Sequence, residues 1–247
     1  MFVAMAFRQH EITTRSGPAQ THDGWSIGRA GGIAALLYGL WVVYLLVLQM
    51  IVFPGAGLSA AAVHDPAHVL PFVHSHAGLF TLFWAPEFLA AFLLPVMVLA
   101  LDDRMAPTAL GRVQVASACG LLGTFLILTH TLVQNAVIPL ESVYKQDPAG
   151  TAAAFRASDA IAGWLSVGGL FALGVWIVLV CGVALQRGGL PCWSAYVGLV
   201  AGALALLTLV AGLPVGILGL LVWSAMLAAV LLRRGAARLE AQPETAR

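Results

Sequence analysis

The segment from His74 to Leu101, HSHAGLFTLFWAPEFLAAFLLPVMVLAL, is apolar throughout except for its first residues and one carboxylate, Glu87. A helix needs about 20 apolar residues to cross the hydrocarbon of a bilayer, and this segment is longer than that. The sequence therefore predicts a membrane span that carries an acidic side chain near its middle. Charge inside a bilayer is costly, so Glu87 is a functional-site hypothesis.

The low charge content of the whole chain indicates the same environment for the rest of it. Only 9% of the residues are charged and 60% are hydrophobic, whereas a soluble domain carries about 25% charged residues. The chain is therefore predicted to be an integral membrane protein whose main partner is the lipid bilayer. Its net charge of +1 provides no basic surface, which argues against nucleic acid as a partner. The three cysteines are scattered and form no CxxC pair, so they are interpreted as packing residues.

Long apolar runs predict an all-α fold, a polytopic bundle of six transmembrane helices. Helices are the expected structure because lipid offers no hydrogen-bond partner to an open backbone. The six-helix domain is predicted over residues 29–234, between a polar N-terminal segment, 1–28, and a polar tail, 235–247. The predicted spans are Ala30–Phe53, His76–Leu101, Val113–Ile138, Asp159–Leu185, Pro191–Leu213 and Val215–Leu232.

The arginines and lysines are divided unevenly between the two sides of this bundle. With six spans, ten of them fall on the side that carries both chain termini, and only Lys145 and Arg156 fall on the other. Cytoplasmic loops carry the excess of positive residues. Both termini are therefore predicted in the cytoplasm of a cell with the chain in its inner membrane, and the two long loops, 54–75 and 139–158, are predicted outside.

Small residues recur every four positions on two of the predicted spans, a spacing that lets helix backbones approach closely. Packing within the chain is the commonest meaning of such a stripe. A homo-oligomer interface or a contact with a partner in a membrane complex is the alternative. The stripes are Ser194, Gly198 and Gly202 on span five, and Ala116, Gly120 and Thr124 on span three.

Two segments resemble an uncharacterised bacterial family of six-helix integral membrane proteins, known only as a domain of unknown function. They are AAAVHDPAHVLPFVHSHAGLFTLFWAPEFLAAFLLPVMVLAL and LQRGGLPCWSAYVGLVAGAL. The resemblance covers about residues 29–234. It implies a six-helix fold and brings no established activity.

This chain matches the family at two positions and differs from it at a third. The family often has an acidic residue in the middle of span two, which Glu87 matches. It also has a Leu/Ile-Pro-x-Trp turn before span five, matched by the segment 190–193. The family often has an arginine early in span three, where this chain has Gln114 and Ser117 as polar residues. An ion pair between that position and Glu87 is therefore not expected here.

Helix geometry predicts which polar residues can meet. His76 and Glu87 are eleven residues apart, which is about three turns, so they share a helix face. His130 and Gln134 share a face of span three, with Asn135 beside them. Glu87 and His130 are predicted at matching depth, about 13–16 Å from the outer side. Glu87, His130, Gln134, Asn135 and His76 are therefore the predicted ligand-binding residues.

Three roles are open for this constellation. Glu87 and His130 could bind each other and specify helix packing, as in a structural or accessory subunit of a larger complex. They could form part of an outward-facing polar pocket between spans two and three that binds a small ligand, an ion or a proton. They could also serve an intramembrane metal-dependent hydrolase, although no HExxH motif is present.

The outer loop before span two is rich in histidine. His64 and His68 are four residues apart, and His74 and His76 are two apart. Imidazoles at these spacings can gather around Zn or Cu. The sequence therefore offers these four histidines as a metal site, with solvated or interfacial histidines as the alternative. A retinal Schiff base is excluded because the only lysine, Lys145, lies in a predicted loop.

Overall fold

The structure, a computed structural model, describes residues 27–59, 61–135, 137–211 and 213–240, and within these ranges it is helical with no strand. The predicted all-α fold is confirmed. The predictions for residues 1–26 and 241–247 lie outside the described residues. In the described ranges, six helices are long and apolar enough to cross a membrane, as in a multi-pass membrane protein. They are called spans one to six: Ile27–Gly55, Ala77–Pro107, Ala109–Asn135, Pro148–Arg187, Cys192–Val210 and Val215–Arg233.

Several spans consist of more than one helical segment. Two shorter helices, Pro66–Ser75 and Val137–Tyr144, lie in the long loops and are called loop helices one and two. The end of the bundle that carries them is called the long-loop end. The helical segments of the spans are Ile27–Val47, the π-helix Leu48–Val52, Phe53–Gly55, Ala77–Ala91, Leu93–Asn135, Pro148–Arg187, Cys192–Leu206, Thr208–Ala211 and Leu213–Glu240.

The charged residues at 102–104 do not end span two, contrary to the sequence prediction. The helix continues to Pro107, and the break falls at Ala109, whose φ of −163° and ψ of 62° are not helical. Two of these charged residues have partners within the protein. The Ser117 hydroxyl donates to Asp102 at 2.7 Å, and the Arg104 Nε donates to the carbonyl of Gly189 at 2.8 Å.

The dipeptide Asp-Pro begins a helix in each long loop. The Asp65 carboxylate accepts from Ala67 N at 3.0 Å, and the Asp147 carboxylate accepts from Gly150 N at 2.9 Å. Each is an N-cap followed by proline in the first turn. Span four therefore begins at Pro148, well before the predicted Asp159, and its 40 residues extend about 60 Å. This is about twice the hydrocarbon thickness, so the helix projects beyond it.

The spans pack in a closed ring in which neighbours in sequence are neighbours in space and span six returns to span one. Glycines permit the closest approaches. A Cβ at Gly120 would contact Trp176 of span four, and one at Gly198 would contact Trp223 of span six. The small-residue stripes on spans three and five therefore pack within the chain. Trp176 and Trp223 meet edge to face with ring centroids 6.0 Å apart.

Loop helix one folds back onto the long-loop end of the bundle and buries an aromatic cluster there. Its Phe72 contacts Phe53 of span one, with ring centroids 5.8 Å apart, and Phe53 contacts Phe83 of span two at 5.2 Å. Phe155 of span four belongs to the same buried cluster. The loop is thus part of the folded core, and it covers the end of the bundle under which the site lies.

Candidate functional site

A cavity of about 370 Å³ lies inside the ring, bordered by spans one, two, three, four and six. Ligand cavities in proteins have volumes of about 300–1,000 Å³. The walls are mostly apolar, and the cavity extends from Glu87 and His130 to His64 and Asp159 at the long-loop end. Its polar lining residues are Tyr38, Trp41, Gln49, Ser59, His64, Glu87, His130, Gln134, Ser158, Asp159 and Ser166.

Glu87 and His130 meet at the deep end of this cavity. His130 Nε2 lies 3.5 Å from Glu87 Oε1, and the two side chains are only 11% and 8% exposed. Glu87 is ten residues from the start of span two, about 15 Å along the helix axis. The contact expected from matching helix depth is therefore present. A buried polar pair of this kind is costly unless its atoms have partners.

The second nitrogen of His130 is held by span four. Nδ1 lies 2.8 Å from the main-chain carbonyl oxygen of Ala162. A carbonyl only accepts hydrogen bonds, so Nδ1 carries a hydrogen and donates it. The His130 ring thus joins three spans: its own, span two through Glu87 and span four through Ala162. This contact orients Nε2 towards the carboxylate of Glu87.

Three polar atoms around the cavity are buried with no hydrogen-bond partner in the described part of the chain. They are Glu87 Oε2, Gln134 Oε1 and Trp41 Nε1. All three residues line the cavity. An unsatisfied buried polar atom costs about 1–3 kcal/mol. Two acceptors and one donor without partners around one cavity therefore favour an occupant that supplies the missing hydrogen bonds.

Two of the predicted ligand-binding residues lie outside the cavity lining. His76 is the N-cap of span two, its ring stacks on Phe72 with centroids 4.6 Å apart, and its Nδ1 lies 2.9 Å from Ser75 Oγ. The backbone of His76 is not helical, so the predicted alignment with Glu87 does not apply to it. Asn135 Nδ2 donates to Thr131 O at 2.8 Å within its own helix. Gln134, by contrast, faces the cavity with His130.

At the long-loop end, His64 and Asp159 border the cavity. His64 Nδ1 lies 3.0 Å from Asp159 Oδ2, which ties the first long loop to span four. His64 is 67% exposed and Asp159 is 25% exposed, so the cavity reaches the protein surface here. The hydrogen bond to Asp159 raises the pKa of His64 above its ordinary value, partial burial opposes this, and the charge of Asp159 adds to the increase.

The four loop histidines do not converge on one point. His64 contacts Asp159, His68 Nδ1 lies 2.7 Å from Asp65, and His74 Nε2 lies 3.3 Å from Lys145 Nζ. The described residues contain no group of three or more His, Cys, Asp or Glu side chains that could hold a metal ion. The predicted Zn or Cu site, and the metal-dependent hydrolase at Glu87 and His130, therefore have no support in this geometry.

Sequence reasoning missed the contribution of span one. Tyr38, Trp41 and Gln49 of this span line the same cavity as Glu87 and His130. They are three and eight residues apart, which places them on one face of a helix. The sequence signal that could have identified them was this stripe of aromatic and amide side chains. Gln49 lies in the π-helix Leu48–Val52. Such segments occur frequently at functional sites because they shift the register of a helix face.

Six helices long and apolar enough to cross a membrane are compatible with an integral membrane protein, and a buried carboxylate–imidazole pair lies beside the cavity between them. Comparisons with family models, with curated proteins and with solved structures gave no match. The chemistry of the cavity therefore rests on its own residues.

Proposed function

We propose that this chain is a multi-pass protein of the bacterial inner membrane whose cavity opens outward and binds a small ligand, an ion or a proton at Glu87 and His130. The observation that carries the proposal is the unpartnered Glu87 Oε2 beside the 3.5 Å contact with His130. A pair that served only packing is expected to satisfy its buried atoms within the protein. Membership of the six-helix family that the sequence resembles is part of the same proposal.

The distribution of arginine and lysine supports the proposal that the cavity opens outward. Ten arginines lie on the side of the termini, against Lys145 and Arg156 on the side of the long loops. That excess favours cytoplasmic termini and an external position for the long loops. The cavity reaches the surface at His64, within the first long loop. A ligand would therefore enter from outside the cell.

Thermal unfolding of the detergent-purified full chain tests the proposal. Anything that binds the folded state alone raises its unfolding temperature by mass action. The panel contains small apolar amines, alcohols and carboxylates, together with monovalent and divalent cations. We expect at least one class to stabilise the wild-type chain and to stabilise the Gln134→Leu variant much less.

Asn135→Leu is the matched control, because Asn135 is the next residue in the same helix and its amide bonds to Thr131 O away from the cavity. It should respond to the panel as wild type does. If no class stabilises the wild-type chain, or if both variants respond alike, the ligand-binding proposal is wrong. The polar pair would then be a packing device of a structural or accessory subunit.

A further inference from the structure

The hydrogen bond from His130 to span four determines where a proton can lie in the pair. Because Nδ1 carries the hydrogen donated to Ala162 O at 2.8 Å, a neutral His130 presents the lone pair of Nε2 to Glu87. An ionised Glu87 also presents only lone pairs. Two acceptors facing each other at 3.5 Å repel unless a proton lies between them.

Without a bound cation, this geometry is therefore expected to place one proton on the pair. The proton resides on Nε2 or on the carboxyl oxygen, and in either case the pair has no net charge. Loss of that proton leaves a net charge of −1 in a buried site, which requires a compensating cation. The empty cavity and the cation-filled cavity thus differ by one proton.

The remaining charged groups of the cavity favour a cation as the occupant. Asp159 and His64 lie at its surface end, and the phenol of Tyr38 of span one also lines it. No arginine or lysine is among the described residues that line the cavity. An anion would therefore meet Glu87 and Asp159 with no cationic side chain except histidine to receive it.

The shape and walls of the cavity indicate an organic cation. Its apolar walls include the rings of Trp41, Phe53, Phe80 and Phe83. Aromatic faces attract ammonium groups and bury apolar carbon. Two of the three unpartnered atoms, the acceptors Glu87 Oε2 and Gln134 Oε1, match the N–H donors of a protonated amine. A hydrated metal ion would leave the apolar walls without a partner.

We propose that the cavity binds a small apolar amine in its protonated form, and that the ammonium group replaces the proton shared by Glu87 and His130. The proposal rests on the ligand-binding function proposed above and names its ligand class. The exchange balances: one ammonium ion enters, one proton leaves to water through the His64 and Asp159 end, and the charge of the site stays at zero. Affinity consequently falls as the pH is lowered, because protons compete.

Calorimetric titration of the detergent-purified full chain tests the exchange with three matched probes: phenylbutylamine, phenylbutanol and phenylbutyrate. Repeating each titration in buffers of different ionisation enthalpy measures the protons released. We expect the amine to bind at least about tenfold more tightly than the alcohol, the value of a charge-assisted hydrogen bond, and the carboxylate to bind least. Each bound amine should release up to one proton. The affinity for the amine should rise with pH over the range in which the pair holds its proton.

Glu87→Gln should remove both the proton release and the preference for the amine, while the alcohol still binds. Asp102→Asn is the control, because Asp102 is bonded to Ser117 away from the cavity, and it should behave as wild type. Equal binding of amine and alcohol without proton release would overturn the exchange and leave the ligand-binding function standing. Binding of none of the probes would also overturn it, and the panel of unfolding measurements then decides the proposed function separately.

Discussion

His64 and Asp159 are 95 residues apart in the chain, yet their side chains meet at 3.0 Å across the surface end of the cavity. The contact joins the first long loop to a helix that projects beyond the hydrocarbon. Its strength depends on the protonation of His64, because only the charged imidazole forms an ion pair with the carboxylate.

The first prediction concerns the pH dependence of this contact. The pKa of His64 is raised by its hydrogen bond to Asp159 from the ordinary value of 6.5. A raised folded-state pKa means that the contribution to stability is fully present below 6.5 and is lost as the pH rises through the raised value. A double-mutant cycle of His64→Gln and Asp159→Asn should therefore give a coupling energy that is larger at about pH 6 than at about pH 9. A coupling that is constant or grows with pH would contradict this assignment.

The second prediction concerns the stability of the buried pair. Glu87→Ala leaves His130 Nε2 without its partner and should reduce the free energy of unfolding by about 1–3 kcal/mol. Glu87→Gln should lose less, because its amide can donate to Nε2. Denaturant unfolding in mixed micelles measures both variants, with Asn135→Ala as a control in the neighbouring helix. Equal losses for Ala and Gln would show that the polar contact between Glu87 and His130 contributes nothing.

The third prediction tests the orientation in the membrane. In a chain freed of its native cysteines, Lys145→Cys should react with an impermeant thiol reagent added to intact cells, whereas Arg187→Cys should react only after permeabilisation. Both positions are exposed; Lys145 lies just before span four, and Arg187 is the last residue of span four. The expectation follows from the excess of positive residues on the side of the termini. Labelling of both positions from the same side would refute the six-span topology.

A fourth prediction compares two helical glycines. A Cβ at Gly198 would lie 3.0 Å or less from the Trp223 ring, whereas nothing lies within 4 Å of a Cβ at Gly182. Gly198→Ala should therefore destabilise the bundle by about 1–3 kcal/mol through overpacking. Gly182→Ala should be neutral or stabilise by up to about 1 kcal/mol, because alanine is the better helix former. Comparing the free energies of unfolding of the two variants separates the effect of packing from that of helix propensity. Similar free energies for both variants would contradict the packing role of the span-five stripe.

A fifth prediction concerns metal content. The four loop histidines contact separate partners, and the described residues hold no three-ligand group. We therefore expect the purified protein to contain well below one Zn or Cu per chain. If elemental analysis found stoichiometric metal that the double variant His74→Ala, His76→Ala lacks, the original loop-site hypothesis would be restored.

The parts of the fold that follow from local rules were predictable from the sequence. Apolar run length predicts the six spans, and Asp147 followed by Pro148 indicates the true start of span four. The meeting of Glu87 and His130 follows from their equal depth. The shared helix face of Tyr38 and Gln49 was readable from the sequence, but which face of span one turns inward was not, so their place in the cavity lining could not be predicted. The contact of His64 with Asp159 depends likewise on how a loop folds, which residue spacing does not determine.

The hydrogen-bond acceptor of His130 Nδ1 is a main-chain atom of span four, at 2.8 Å. No side-chain substitution at Ala162 removes that acceptor, so the tautomer of His130 is determined by the position of a helix. If span four moved so that the Ala162 carbonyl left hydrogen-bond reach, the neutral His130 ring could carry its hydrogen on Nε2 instead of Nδ1. Nε2 could then donate to the Glu87 carboxylate without uptake of a further proton. Helix position and proton occupancy are thus thermodynamically linked, and by reciprocity each shifts the equilibrium of the other.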